Sequence, residues 1–300
     1  MQRSTSGWIS GLIGVLIFSG SLPATRVAVQ GFDPVFLTVA RASIAGVIGL
    51  GLLLLTGERR PAREDLPSLA VVALGVVAGF PLLTALALRH VTSAHSIVFI
   101  GLLPLATAIF GVIRAGERPK PAFWAFSLLG SALVAGFALR QGPDGAPIGD
   151  ALMLAAIALC GLGYAEGGRL SRKLGGWQVI SWALVLSLPL MAVLTFATRP
   201  ASFAAVTAPE WIGLGYVSLF SMLIGFVFWY RGLAHGGIAA VGQLQLLQPF
   251  FGFALADLLL GEPVTPPMLL VSVGVIGCVV GARRFARDQP TRARFTRPVG

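Results

Sequence analysis

The chain has 300 residues, 56% of them hydrophobic and only 11% charged, with a mean hydropathy of +0.85. A soluble domain carries about a quarter charged residues, so this composition excludes an ordinary water-soluble protein. The formal net charge of +10 does not by itself indicate a nucleic-acid partner, because arginines on a membrane protein gather in its cytoplasmic loops. Apolar runs recur at about 20 residues, the length that crosses a bilayer core as a helix. They predict ten spans, at 7–29, 34–55, 66–88, 93–115, 121–140, 148–171, 177–198, 209–232, 238–260 and 265–284. Gly7 to Val29 is long enough to span, and Arg26 lies where a small-residue cleavage site would be needed, so no cleavable signal peptide is expected. Turn and charge clusters such as "QGFDP", "TGERRPARED" and "GEPVTPP" separate the spans. The tail after Arg287 is polar and reads as disordered.

Of the 22 Lys and Arg, 17 fall in the loops and tails on the side of the chain termini. Only Arg26, Arg89, Arg140 and Arg199 fall on the other side, and Arg41 lies within a span. The positive-inside rule therefore predicts that both termini are cytoplasmic, in the inner (plasma) membrane. Cys160 and Cys278 lie in apolar runs and suggest neither a disulfide framework nor a metal site. No cofactor motif is present.

Sliding the chain against itself by 145 residues reveals an internal repeat. Leu88, His90, Ala94, Leu102, Pro104, Gly116, Glu117, Pro121, Val134 and Gly136 meet Leu233, His235, Ala239, Leu247, Pro249, Gly261, Glu262, Pro266, Val279 and Gly281. The Leu, Ala and Val matches recur by chance in apolar sequence; the prolines and Gly-Glu pairs at fixed spacing do not. Residues 1–145 and 146–287 then form two halves of five spans, followed by a tail at 288–300. Five is odd, so the second half enters the membrane upside down. Inverted repeats of this kind are found in secondary transporters, whose sites lie near the midplane at the repeat interface.

Pro104 and Pro249 fall midway along spans four and nine. Each removes a helical hydrogen bond and should free the carbonyl four residues earlier, on Ile100 and Gln245. Such a carbonyl should face protein or a wet cavity. Gln245 and Gln248 are three residues apart and share a helix face, while Gln243 points elsewhere. Two readings stay open: amides that tie neighbouring helices together, and amides that line a substrate cavity.

At "GLLPLATAIFGVIRAGERP" and "QLLQPFFGFALADLLLGEP" the sequence resembles the EamA-type branch of the drug/metabolite transporter superfamily. The likeness covers nearly the whole chain, and Pro34 and Arg41 in "DPVFLTVARASIAG" resemble the family's Pro-then-Arg pattern. By overall similarity it looks like the YddG-type exporters of aromatic amino acids. The resemblance implies an all-α polytopic membrane protein, its two inverted repeats arranged around a central cavity that works by alternating access. One departure is that spans one and six match poorly, with Ala165 or a neighbour opposite Pro23, which puts symmetric roles for those two helices in doubt.

For amino-acid export, Ser19, Ser21, Gln245 and Gln248 would bind polar groups and Phe80, Phe99 and Tyr164 would surround the side chain. Thr84 and His95 are further candidates, and Pro104 and Pro249 are the candidate hinges. Glu117 and Glu262 are expected to cap the helices that follow them, and Glu166 to pair with Arg169. Arg41 is open between a functional charge and one that snorkels outward. The aromatic belt accounts for most of Trp8, Trp177, Trp211, Trp229 and Tyr230. The glycine pairs Gly75/Gly79, Gly163/Gly167 and Gly277/Gly281 fit close helix contacts within the chain. The expected partners are amino-acid substrates and the lipid bilayer, with no nucleic acid, and the protein is expected to be a monomer or weak dimer. A carrier of nucleotide sugars or phosphorylated metabolites is disfavoured by the absence of mid-depth cations other than Arg41. An integral-membrane enzyme is disfavoured by the absence of reactive clusters.

Overall fold

Asp33 opens a helix by a local rule. Its carboxylate accepts the N–H groups of Val35 (2.8 Å) and Phe36 (3.3 Å), and Pro34 fills the first helical position, where no N–H is needed. Such starts recur along the chain: Thr92 accepts from His95 N (3.1 Å), and Thr207 and Glu210 form a capping box. The computed structural model describes residues 2–118, 120–140 and 147–285. The predicted tail at 288–300 and the loop tip at 141–146 lie outside the described residues.

Among the described residues the fold is all helical, in ten helical segments. They are α1 (Thr5–Gly31), α2 (Pro34–Leu55), α3 (Arg63–Ala87), α4 (Ser93–Ala115), α5 (Pro121–Arg140), α6 (Pro147–Leu174), α7 (Gly176–Ala197), α8 (Ala208–Gly236), α9 (Ile238–Leu260) and α10 (Pro266–Phe285). Eight are long and apolar enough to cross a membrane, and α5 and α10 carry shorter apolar stretches. Leu54, Leu55, Phe196, Ile212, Leu258 and Leu270 point outward, as side chains do where the solvent is lipid.

The helix pairings map onto one another under the 145-residue repeat. α1 packs on α8 and its mate α6 on α3, while α2 packs on α7, α4 on α9 and α5 on α10. Glycines permit the closest approaches: a Cβ on Gly232 would lie 2.8 Å from Gly11 Cα, and one on Gly75 would lie 2.9 Å from Gly163 Cα. Gly277 differs from the expected pattern, with nothing near its Cα that a side chain would meet.

Backbone irregularities recur at the same offset. α3 widens to a π-helix at Ala73–Gly79 and α8 at Val217–Ile224. α4 turns at Gly101 and Leu102, whose N–H groups reach back three residues to Val98 O (3.1 Å) and Phe99 O (2.9 Å). α9 tightens to a 3₁₀-helix over Gln243–Leu247. Pro104 and Pro249 stand in the first turn of the helix that resumes, where a missing N–H has no consequence. In α9 this corrects the expectation of a carbonyl freed by the proline. The Gln245 carbonyl accepts the Gln248 N–H, because the chain changes helix type ahead of the proline instead of bending over it.

Gly116 (φ 66°) and Gly261 (φ 62°) end α4 and α9 in the left-handed region. The glutamates after them do not cap the next helix, as the sequence suggested. Glu117 accepts the N–H groups of Ile238 (3.0 Å) and Ala239 (2.9 Å) at the start of α9. Glu262 accepts those of Ser93 (3.3 Å) and Ala94 (2.9 Å) at the start of α4. The end of each helix therefore meets the start of the other, so α4 and α9 run antiparallel.

α1 and α6 depart from this symmetry, in line with their poor sequence match. α1 breaks at Gly20, where the Tyr216 hydroxyl donates to Ile17 O (2.6 Å). α6 is continuous over its 28 residues.

Candidate functional site

The two breaks, the two π segments and the Gly20 turn converge on one interior cavity. Its walls are Phe18, Ser21, Leu22 and Thr25 of α1, Arg41 of α2, and Val76, Phe80, Pro81 and Thr84 of α3. Leu103 of α4, Tyr164 of α6, Ser221 and Phe226 of α8 and Gln248 of α9 complete them. Three pairs of repeat mates face it: Val76 with Ser221, Pro81 with Phe226, and Leu103 with Gln248. In each pair that changes polarity, the second half supplies the polar group. The cavity measures about 20 Å³, room for about one water molecule. A larger occupant requires the helices to part.

The wall divides chemically. Phe18, Tyr164, Phe226 and Trp229 form an aromatic cluster, with Phe18–Phe226 centroids 5.0 Å apart and Tyr164–Trp229 5.3 Å apart. Trp229 and Tyr230 are fully buried, which corrects their assignment to an aromatic belt. α8 runs 29 residues, so these rings lie two turns inside its end, and the Tyr230 hydroxyl donates to Gly163 O (3.1 Å). On the polar side, Arg41 Nη2 donates to Ser221 Oγ (3.1 Å), and Ser21 Oγ donates to the same atom (2.7 Å). Gln248 Nε2 donates to Phe18 O (3.3 Å), leaving its Oε1 without a partner.

Five of the residues singled out from the sequence meet here: Ser21, Phe80, Thr84, Tyr164 and Gln248. Thr84 Oγ1 is satisfied by its own helix, donating to Phe80 O (2.8 Å). The structure does not bring Ser19, Phe99, His95 or Gln245 to the cavity wall. Ser19 Oγ donates to Val15 O (2.8 Å). The Phe99 ring packs 5.4 Å from His95, whose Nε2 meets Asp150 Oδ1 at 2.7 Å. Gln245 is fully buried beside Tyr164, and neither atom of its amide makes a hydrogen bond of normal geometry.

Arg41 was open between a functional and a snorkelling charge, and Ser221, Thr25, Phe18 and Phe226 were not among the candidates. Arg41 was legible as an intramembrane charge but not its direction, and Ser221, 180 residues away, carried no signal. Glu166 pairs with Arg169 (2.5 Å) as expected, and also with Arg114 Nε (2.7 Å). Arg169 Nη2 reaches Ser68 Oγ (2.8 Å), so this fully buried carboxylate ties α3, α4 and α6 at one end of the bundle. Arg172 pairs with Glu117 (3.2 Å), and Arg26 with Glu262 (3.7 Å).

A cavity walled by both halves of a duplicated, lipid-facing bundle is the geometry of a membrane carrier, and comparison with known proteins agrees. The model of the EamA-like transporter family matches residues 5–138 and 147–283, and the chain belongs to that family. It is thus a multi-pass membrane transporter and not an enzyme. It is 69% identical to the uncharacterized transporter YdeK of Bacillus subtilis, over 96% of this chain and 100% of that protein. It is 27% identical to a probable terminal-alkyne amino-acid exporter of Streptantibioticus cattleyicolor, over 95% of each chain. A solved crystal structure shares the fold with a TM-score of 0.70 at 20% identity, covering 94% of this chain and 98% of the other.

Proposed function

We propose that the protein exports amino acids, aromatic and other apolar ones, together with related small metabolites, across the inner membrane by alternating access. In this reading its two inverted five-helix repeats close around the cavity, both termini are cytoplasmic, and the carrier acts as a monomer or weak dimer. The likeness to YddG-type exporters of aromatic amino acids is part of the proposal. One observation carries it: aromatic rings and a compact polar group line one cavity walled by both halves. An apolar amino acid has the matching division, an apolar side chain and a polar backbone. The Streptantibioticus relative, a probable terminal-alkyne amino-acid exporter, supports the same class.

The cavity as it stands is too small for an amino acid, so transport needs the halves to move. The symmetric π segments and breaks offer places where helices yield without losing a full ladder of hydrogen bonds. Uptake into proteoliposomes across a panel of amino acids, with and without a pH gradient, tests the proposal. Saturable uptake of apolar and aromatic members is expected. Transport of no member would overturn the substrate class.

A further inference from the structure

Arg41 is the cavity's only cation among the described residues that line it, and none of the described carboxylates reaches it. The residue is 5% exposed, its Nη2 is held by Ser221 Oγ at 3.1 Å, and its Nε has no partner. Arg114, Arg169 and Arg26 are all more exposed than Arg41 and nevertheless have counter-ions: Arg114 and Arg169 share Glu166, and Arg26 faces Glu262. A guanidinium inside the membrane-spanning region without a counter-ion is costly to hold and persists where a partner arrives. The surroundings are arranged for an acceptor. Ser221 Oγ already accepts from Arg41 and from Ser21 Oγ (2.7 Å), so its own hydroxyl hydrogen remains to be donated.

We infer that Arg41 and the Ser221 hydroxyl form an anion subsite that takes the carboxylate of the transported molecule. The inference rests on the proposal that this cavity is the transport site, and it narrows the cargo to molecules with a carboxylate at one end and an apolar group at the other. The guanidinium edge presents parallel N–H donors that match a carboxylate. The unpartnered Oε1 of Gln248, on the same wall, is an acceptor for an adjacent ammonium when the cargo is an α-amino acid. A phosphate monoester does not fit as well, because its second negative charge would have no cation to meet.

The test is ligand-induced thermal shift and counterflow uptake on the full-length protein, using matched probes. These are phenylalanine, its carboxamide, phenylacetate and phenyl phosphate, applied to the parent, Arg41→Lys, Arg41→Gln and Ser221→Ala. The parent should bind the carboxylates at least tenfold more tightly than the carboxamide. Arg41→Gln should erase that preference, Arg41→Lys should keep part of it, and Ser221→Ala should reduce it severalfold. Equal affinity for acid and amide in the parent, tightest binding of phenyl phosphate, or an undiminished preference in Arg41→Gln would overturn the subsite. If Arg41→Gln fails to accumulate, an unchanged acid-to-amide ratio in Ser221→Ala does the same. The two proposals fail differently. Phenylacetate bound through Arg41 with phenylalanine ignored would remove the amino-acid reading and keep the subsite. Phenylalanine and its amide transported alike would do the reverse.

Discussion

Glu117 and Glu262, 145 residues apart, each cap the helix that the other one follows. The reciprocity ties the two halves at both ends of the α4–α9 pair, and each carboxylate is further held by an arginine, Arg172 or Arg26. Glu117→Ala and Glu262→Ala should each cost about 1–2 kcal/mol, the scale of a lost helix cap. The two sites lie at opposite ends of the helix pair, so the double variant should lose about the sum. Reversible unfolding in detergent measures this. A loss at one site alone would show that the reciprocity is not energetic.

Pro104 and Pro249 occupy first-turn positions, so replacing either with alanine removes no hydrogen bond and lets the helix run through the break. Pro104→Ala and Pro249→Ala should reach normal membrane levels and show altered transport. Parental uptake rates in both variants would mean that the breaks play no part in the cycle.

The paired glutamines should separate. Gln248 faces the cavity and Gln245 does not. Gln248→Leu should weaken amino-acid binding while shifting stability by no more than about 1 kcal/mol. Gln245→Leu removes a fully buried amide that makes no hydrogen bond of normal geometry, so it should cost little stability and leave ligand affinity unchanged. Thermal-shift titrations of both variants check the contrast, and the reverse pattern would show that Gln245, not Gln248, meets the cargo.

The sequence made the helices and their symmetry legible because Pro, Gly-Glu and Pro at fixed spacing survive in both halves. It could not show what the glutamates after α4 and α9 touch, since each contacts residues more than 120 positions away. Assuming uniform α-helix placed Gln245 and Gln248 together. The 3₁₀ stretch keeps them adjacent, yet only Gln248 reaches the cavity wall. Arg41 was visible as a charge in a span, but its meaning depended on Ser221 across the cavity. Trp229 and Tyr230 read as belt residues because the length of α8 was underestimated at its second end.

The distribution of Lys and Arg predicts cytoplasmic termini. A reporter active only outside the cytoplasm, fused after Arg284, should stay silent. Activity would invert the orientation of both halves.

Alternating access through the cavity is tested most directly at Thr84, whose hydroxyl bonds only its own helix and so tolerates replacement. Thr84→Cys is placed in a background with Cys160 and Cys278 changed to alanine, and an impermeant thiol reagent is applied to right-side-out and inside-out vesicles. The account predicts labelling from both sides, slowed from each by a transported amino acid. Labelling from one side only, or at a rate no substrate changes, would contradict it.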